Sequence, residues 1–412
     1  MAFSPDGGSV AVAGGSDLSV WEANGTESRL LRSGTSATRA DYNRQGTVLA
    51  IKPYVGVYHA LKDSVTLIDS HTGEERALIT VSAEIKAFIF NPAGNQIAVG
   101  ATDGSTTLFD LFGREQWRMR ERAGVEEVIF SHDGGEVATI AGTRSLNDSF
   151  NPQARECCYV QVLDAVSGQV VRQHKYEEDV KNIAFSPDDA YLAAASSDQV
   201  TLWHRGASGE IQFAPGKGVN KVLFTPDGRY LCTVTESESG HRVDFWEQWA
   251  SGNRNSRFHM DADSSVGPIA FNSNGRLVAL GVGESALVYT VPDGRQILKA
   301  KLDGTVIEAI ISTDSAYLLT GSLDGTIRVW SLKTGMEIAR MKHAGPVSSV
   351  SLSPDGREVA STSEDRTVRL WSWRPEDLIA DACSRITRNL SPEEWQLYLA
   401  GEPYKKTCSN VP

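Results

Sequence analysis

The chain has little of what announces chemistry. Five cysteines in 412 residues are too few for a disulfide scaffold. Its eight histidines are scattered, with no His-Glu-x-x-His and no paired Cys-x-x-Cys, so no zinc site can be read. Adjacent Cys157 and Cys158 stand too close for that pattern and read as a loop-to-strand junction. No run approaches the roughly 18 apolar residues of a membrane span. Met1-Ala2-Phe3-Ser4-Pro5 lacks the basic region and apolar core of a secretory signal. A basic excess is also missing. The formal net charge is −12 and the pI near 5.2, which argues against nucleic acid and anionic membranes as partners. The expected location is the cytoplasm.

Phosphate and nucleophile motifs fail in the same way. Pro215-Gly216-Lys217-Gly218 is the nearest approach to a phosphate-binding loop. Ile211 stands where the first glycine is required, and Gly218 replaces the Ser/Thr that would meet magnesium. No Gly-x-Ser-x-Gly elbow occurs. The sequence points to no catalytic residue, no metal and no cofactor.

What the chain does have is one recurring phrase. It reads Phe3-Ser4-Pro5-Asp6-Gly7, then returns from Phe90, Phe130, Phe185, Phe224, Phe271 and Leu352, with worn copies from Tyr42 and Ile311. The nine copies are spaced by 39, 48, 40, 55, 39, 47, 40 and 41 residues. A period near 40 with four short strands per unit marks a propeller blade. An apolar alternation leads into each phrase, as in Val219–Phe224. Pro-Asp-Gly then turns the chain, because Pro fixes φ and Gly tolerates φ > 0. A second strand, an Asp-containing turn such as Asp324-Gly325, and a third strand ending on an aromatic follow, as in Thr326–Trp330. A Thr-Gly or Ser-Gly turn leads to a more polar fourth strand.

These residues resemble WD40 repeats over residues 1–373. The third-strand Trp occurs at Trp21, Trp203, Trp246, Trp330 and Trp371, and gives way to Ile68, Phe109, Leu163 or Tyr289 elsewhere. The resemblance implies a hydrogen-bonded structural set of His, Ser/Thr, Asp and Trp in each unit. The last unit matches it with His343, Ser361, Asp365 and Trp371. The unit before keeps Thr320, Asp324 and Trp330 but has Leu302 at the His position. The expected fold is an all-β, WD40-type β-propeller with a short helical tail.

Nine units exceed a seven-bladed ring. The ninth lacks an outer strand after Trp371, and Glu75–Val81 could complete it. That reading gives a remnant of an upstream propeller over 1–73, a seven-bladed ring over 74–373 and a two-helix tail over 374–412. An eight- or nine-bladed ring, or an open one, is the alternative.

The tail reads as helices. Pro375-Glu376-Asp377 starts one, and Ser391-Pro392-Glu393-Glu394 is a capping box that starts another. Trp395, Tyr398, Pro403-Tyr404 and Cys408 resemble the end of bacterial multi-domain WD-repeat signalling proteins. In those, the N-terminal part is a STAND NTPase, a TIR-type or caspase-like effector, or a kinase. The tail is expected to pack on the propeller and cap its last open edge. Cys383 and Cys408 flank the helices and could approach one another; a structural disulfide there is possible, although a cytosol disfavours one.

Loop length points to a working face. The three enlarged units gain residues between their second and third strands, at about 53–63, 143–158 and 236–241. Insertions confined to one face mark binding faces. Their partner-binding candidates are Tyr54, Tyr58 and His59; Arg144, Asn147, Phe150 and Arg155; and Glu236, Glu238 and His241. The expected function is a non-enzymatic scaffold for a protein or peptide, or for an effector domain of the same polypeptide. The alternative is a propeller enzyme of the lactonase or quinoprotein-dehydrogenase type, with its site in the central channel.

Overall fold

The computed structural model describes residues 2–14, 17–22, 37–53, 63–121, 123–142, 158–207, 209–238, 240–247, 249–251, 256–291, 293–399, 401–409 and 411. Their strands form nine antiparallel up-and-down sheets, one per phrase. Seven have four strands, and the first and ninth have three among the described residues. The eighth shows the pattern: Val306–Ile311, Tyr317–Ser322, Thr326–Ser331 and Glu337–Lys342 pair in chain order.

The phrase makes the first turn of each sheet by side-chain chemistry. In the last copy, the Ser353 hydroxyl donates to Asp355 at 2.6 Å and accepts from the Glu358 amide at 2.9 Å. Gly356 takes φ +70°, a region that costs other residues steric strain. The turns also stack from sheet to sheet. A Cβ at Gly46 would lie 3.2 Å from Pro5 of the preceding turn, and one at Gly134 would lie 3.3 Å from Pro92. The first turn obeys the same rule with the last: a Cβ at Gly7 would lie 3.3 Å from Pro354.

Burial follows this cyclic order. Nine clusters of buried apolar side chains each bridge two successive sheets. The last bridge joins Val10 and Val12 of the first sheet to Ala360 of the ninth. The second and third strands of sheets two to eight are mostly buried, because both of their faces meet a neighbouring sheet. Tyr191–Ser196 and Thr326–Ser331 show this, and the interior they create is apolar and close-packed.

Two expectations about the ends need correcting. Glu75–Val81 does not complete the ninth sheet. It is the outer strand of the second, pairing with Asp63–Asp69. Hairpin closure through His71-Thr72-Gly73 spans few residues, so it costs little loop entropy. The boundary expected at 73/74 falls between these paired strands.

The tail does form two helices, α1 (Pro375–Arg385) and α2 (Pro392–Tyr398). Ser391 and Glu394 make the capping box. It does not cap the open edge, however. It folds on itself around a Cys383–Cys408 disulfide with a Cα–Cα distance of 5.5 Å. Asn389 ties this hub by donating to the Cys408 carbonyl and accepting from its amide. Trp395 donates to the Glu402 carbonyl and meets Tyr404 edge-on. Leu378, Ile379, Ile386, Leu397 and Tyr398 remain exposed. No helix among the described residues is long and apolar enough to cross a membrane.

Candidate interaction face

In an up-and-down sheet, the connection from second to third strand shares an end with the one leading into the next sheet. Buried and half-buried polar residues brace this end. In the ninth sheet, His343 Nε2 lies 2.8 Å from Ser361 Oγ, which accepts from Trp371 Nε1 at 2.7 Å. His343 Nδ1 lies 3.1 Å from Asp365 Oδ2, which also accepts from the Ala344 amide at 2.9 Å. The set therefore ties the link entering the sheet to its second turn. Burial holds the His343 imidazole below its ordinary pKa. The Thr367 hydroxyl, ahead of two backbone amides and His343, holds Asp365 well below the usual carboxylate range.

Other sheets solve the same problem with different residues. In the eighth, Trp330 donates to Thr320 at 3.1 Å, and Leu302 is buried where the ninth has His343. Arg328 ties the link there instead, reaching Asp303 at 2.6 Å and Asp324 at 3.0 Å. In the fourth, Glu121 occupies the His position. Its Oε1 accepts from Thr139 at 2.8 Å, and burial pushes its carboxyl up to about 7. Neither Arg328 nor Glu121 was picked out by motif. Aligning the units on His343 would have found Glu121, since both follow an outer strand directly. No such register marks Arg328, which reads as an ordinary strand arginine.

The second and third strands that flank the three enlarged connections, in sheets two, four and six, meet those connections at this end. Tyr54, Tyr58, His59, Arg144, Asn147, Phe150 and Arg155 fall outside the described residues. The third enlargement is a hairpin with two eight-residue strands, Tyr230–Ser237 and Gly240–Glu247. It brings Glu236, Glu238 and His241 together at its tip, with both glutamates exposed. The Glu236 amide donates to the Lys217 carbonyl at 3.0 Å, so the hairpin leans on the Pro215–Gly218 loop. His241 Nε2 lies 3.3 Å from the Asn220 side-chain amide.

Two grooves open at the same end beside the fourth and fifth sheets. One, of about 350 Å³, adjoins Gly142 and Cys158 and carries Glu126, Glu127, Asp179 and Lys181. Burial pushes the Glu127 carboxyl up to about 7. The other, of about 560 Å³, carries Glu177, Glu178, Asp198 and Lys175. Carboxylates outnumber cations in both, which suits basic or hydrogen-bond-donating side chains. No group of three or more His, Cys, Asp or Glu suited to a metal occurs among the described residues.

Comparison with known proteins agrees with this architecture. The family described as "WD domain, G-beta repeat" (WD40) matches residues 167–204, 295–331 and 336–372. Each match runs from an outer strand, or the turn before it, through three strands of the next sheet. The guanine nucleotide-binding protein subunit beta of Zea mays is 23% identical over 274 residues, covering 60% of this chain and 69% of its own length. The mouse telomerase protein component 1 is 25% identical over 266 residues, 63% of this chain. This chain spans only 9% of that relative. The crystal structure of the C-terminal WD40 domain of Sif2 superposes with a TM-score of 0.60 at 13% identity, covering 82% of this chain and 96% of that one. The chain carries WD40 repeats and has the fold of a WD40-type β-propeller.

Proposed function

We propose that this propeller is a non-enzymatic platform that holds a protein or peptide at the end carrying the three enlarged connections. The observation that carries the reading is their placement. Sheets two, four and six are each enlarged at the same connection, and the described one is a braced hairpin. Hydrogen-bonded sets such as His343–Ser361–Asp365–Trp371 support rigid presentation, which lowers the ordering cost of binding. The carboxylate-rich grooves favour a partner segment bearing Lys or Arg. Alanine replacement of Glu236, Glu238 and Glu126 tests this: the expected result is weaker partner binding with an unchanged melting temperature. Equal binding by the variant contradicts it.

The proposal extends to the ring and its setting. We take the nine sheets as one ring; the packing of Val10 on Ala360 and of Gly7 on Pro354 supports this. We also take the chain as the C-terminal regulatory part of a larger bacterial signalling protein, supported by the tail pattern of Trp395, Tyr398, Tyr404 and Cys408. Reading the genome upstream of Met1 tests that step. An in-frame effector domain is expected, and a stop codon directly upstream contradicts it. A cytoplasmic location belongs to the same reading. The Cys383–Cys408 bond argues against it, because cytosol keeps thiols reduced. A thiol count on protein from its native source decides between them.

A further inference from the structure

The two helices of the tail have little to hold them. α1 has 11 residues and α2 has 7, below the roughly 12–15 that an isolated helix needs in water. Packing does not make up the difference. Three of the described residues between 375 and 411 are buried: Cys383, Asn389 and Cys408. Cys383 is the one buried residue of α1, and α2 has none. The sheets lend little. Arg357 lies 3.8 Å from Asp377 of α1, but its side chain is 64% exposed, and exposed ion pairs stabilise weakly.

The core of this segment is therefore the Cys383–Cys408 bond together with Asn389. The Asn389 side chain donates to the Cys408 carbonyl at 2.8 Å and to the Val411 carbonyl at 2.9 Å, and accepts from the Cys408 amide at 2.9 Å. All three hydrogen bonds go to the stretch that the disulfide brings back across α2. Without the disulfide they would have to close that loop unaided, against its conformational entropy.

The bond is also within reach of a reagent. Both cysteines line a groove of about 670 Å³ whose walls include Leu378, Ile379, Ile386 and Leu390, and these four side chains are exposed. No other disulfide occurs among the described residues. Cys232, inside the sixth sheet, is fully buried, and burial pushes its thiol up. A reductant thus meets one bond in the tail and none in the described sheets.

We propose that the tail from Pro375 to Cys408 is a thiol-operated switch, folded while Cys383 and Cys408 are bonded and released from its fold when a dithiol reduces them. One thiolate of the dithiol attacks a sulfur of the bond and displaces the other cysteine as a thiolate. The second thiol of the reductant then attacks the mixed disulfide and frees the first cysteine. Two electrons pass from the dithiol, which leaves as a disulfide, to the two cysteine sulfurs, which each take up a proton. A disulfide reagent runs the same steps backwards. A permanent bond argues against a cytoplasmic location, whereas a transient, redox-sensing one does not. The switch lies in the tail and does not depend on the interaction face.

The test follows amide hydrogen exchange of the full chain by mass spectrometry: oxidised, treated with dithiothreitol, and reoxidised with oxidised glutathione. Amides of α1 and α2 are expected to exchange on the order of a hundredfold faster after reduction, the factor supplied by a crosslink over a loop of this length. Amides of the sheets should not change, and reoxidation should restore the protection of the tail. Cys383→Ser should exchange like the reduced chain with or without dithiothreitol, while its sheets keep wild-type exchange and so show that it folds. Equal protection of the tail in the oxidised and reduced chain overturns the proposal. So does a bond that dithiothreitol opens only in urea strong enough to unfold the sheets, because such a bond is a permanent staple.

Discussion

Replacing Glu121 by glutamine should leave stability unchanged at low pH and raise it at high pH. Glu121 is 8% exposed, and its carboxyl is raised from 4.5 to about 7 by burial, with the Thr139 hydrogen bond opposing the shift. Below pH 4.5 it is protonated in both the folded and unfolded chain. Between pH 4.5 and 7 the folded protein holds the proton that the unfolded chain has lost. Stability therefore falls across that window at about 1.4 kcal/mol per pH unit, for a total of about 3 kcal/mol. Glutamine keeps an acceptor for Thr139 and never charges. Glu121→Gln should equal wild type near pH 4 and exceed it by about 3 kcal/mol at pH 8. Urea unfolding at pH 4, 5, 6, 7 and 8 measures the difference directly. Glu127 titrates in the same window in both proteins, so it cancels. Parallel stability curves for the two proteins would refute the reasoning.

Three further outcomes follow from the packing. Ser361→Ala strands Trp371 Nε1 and His343 Nε2 and should cost about 1–3 kcal/mol in urea unfolding. Val10→Ala removes volume from the bridge between first and ninth sheets and should cost about 1–3 kcal/mol; a cost near zero contradicts ring closure. Reducing Cys383–Cys408, a crosslink over 25 residues, removes about 3 kcal/mol of chain constraint. Limited proteolysis should then cut residues 375–412 first and leave the sheets intact.

The repeating part of the fold was plain from sequence, and the reason is local. Each phrase fixes its own turn through side-chain hydrogen bonds within about five residues, from Ser or Thr with Asp in six copies and from Asn43, Asn91 and Asn272 in the others, so nine phrases yield nine turns and nine sheets. The missing outer strand of the last unit was equally visible, because the chain turns helical straight after Trp373. What failed to show depends on contacts between distant segments. Glu75–Val81 has the composition of any outer strand, and nothing in it says which sheet it joins. The tail's apolar face suggested a surface to cover, yet the Cys383–Cys408 crosslink and Asn389 fold the segment back on itself. At the candidate face, the hairpin bearing Glu236, Glu238 and His241 was legible as an insertion. Arg328 was not: it earns its role only when Asp303 and Asp324 come from two different connections. The carboxylate-rich grooves likewise join residues some 50 positions apart, such as Glu127 and Asp179.

The most direct measurement compares the two ends of the propeller. A photo-crosslinking residue is placed at Glu238, on the long hairpin, or at Phe112, which is 72% exposed on a third-to-fourth-strand turn at the opposite end. Both proteins are irradiated in extract from the native host, and adducts are identified by mass spectrometry. The account predicts one recurrent protein adduct from position 238, lost on alanine replacement of Glu236 and Glu126, and none shared by position 112. The same adduct from position 112, or no adduct from 238, contradicts it.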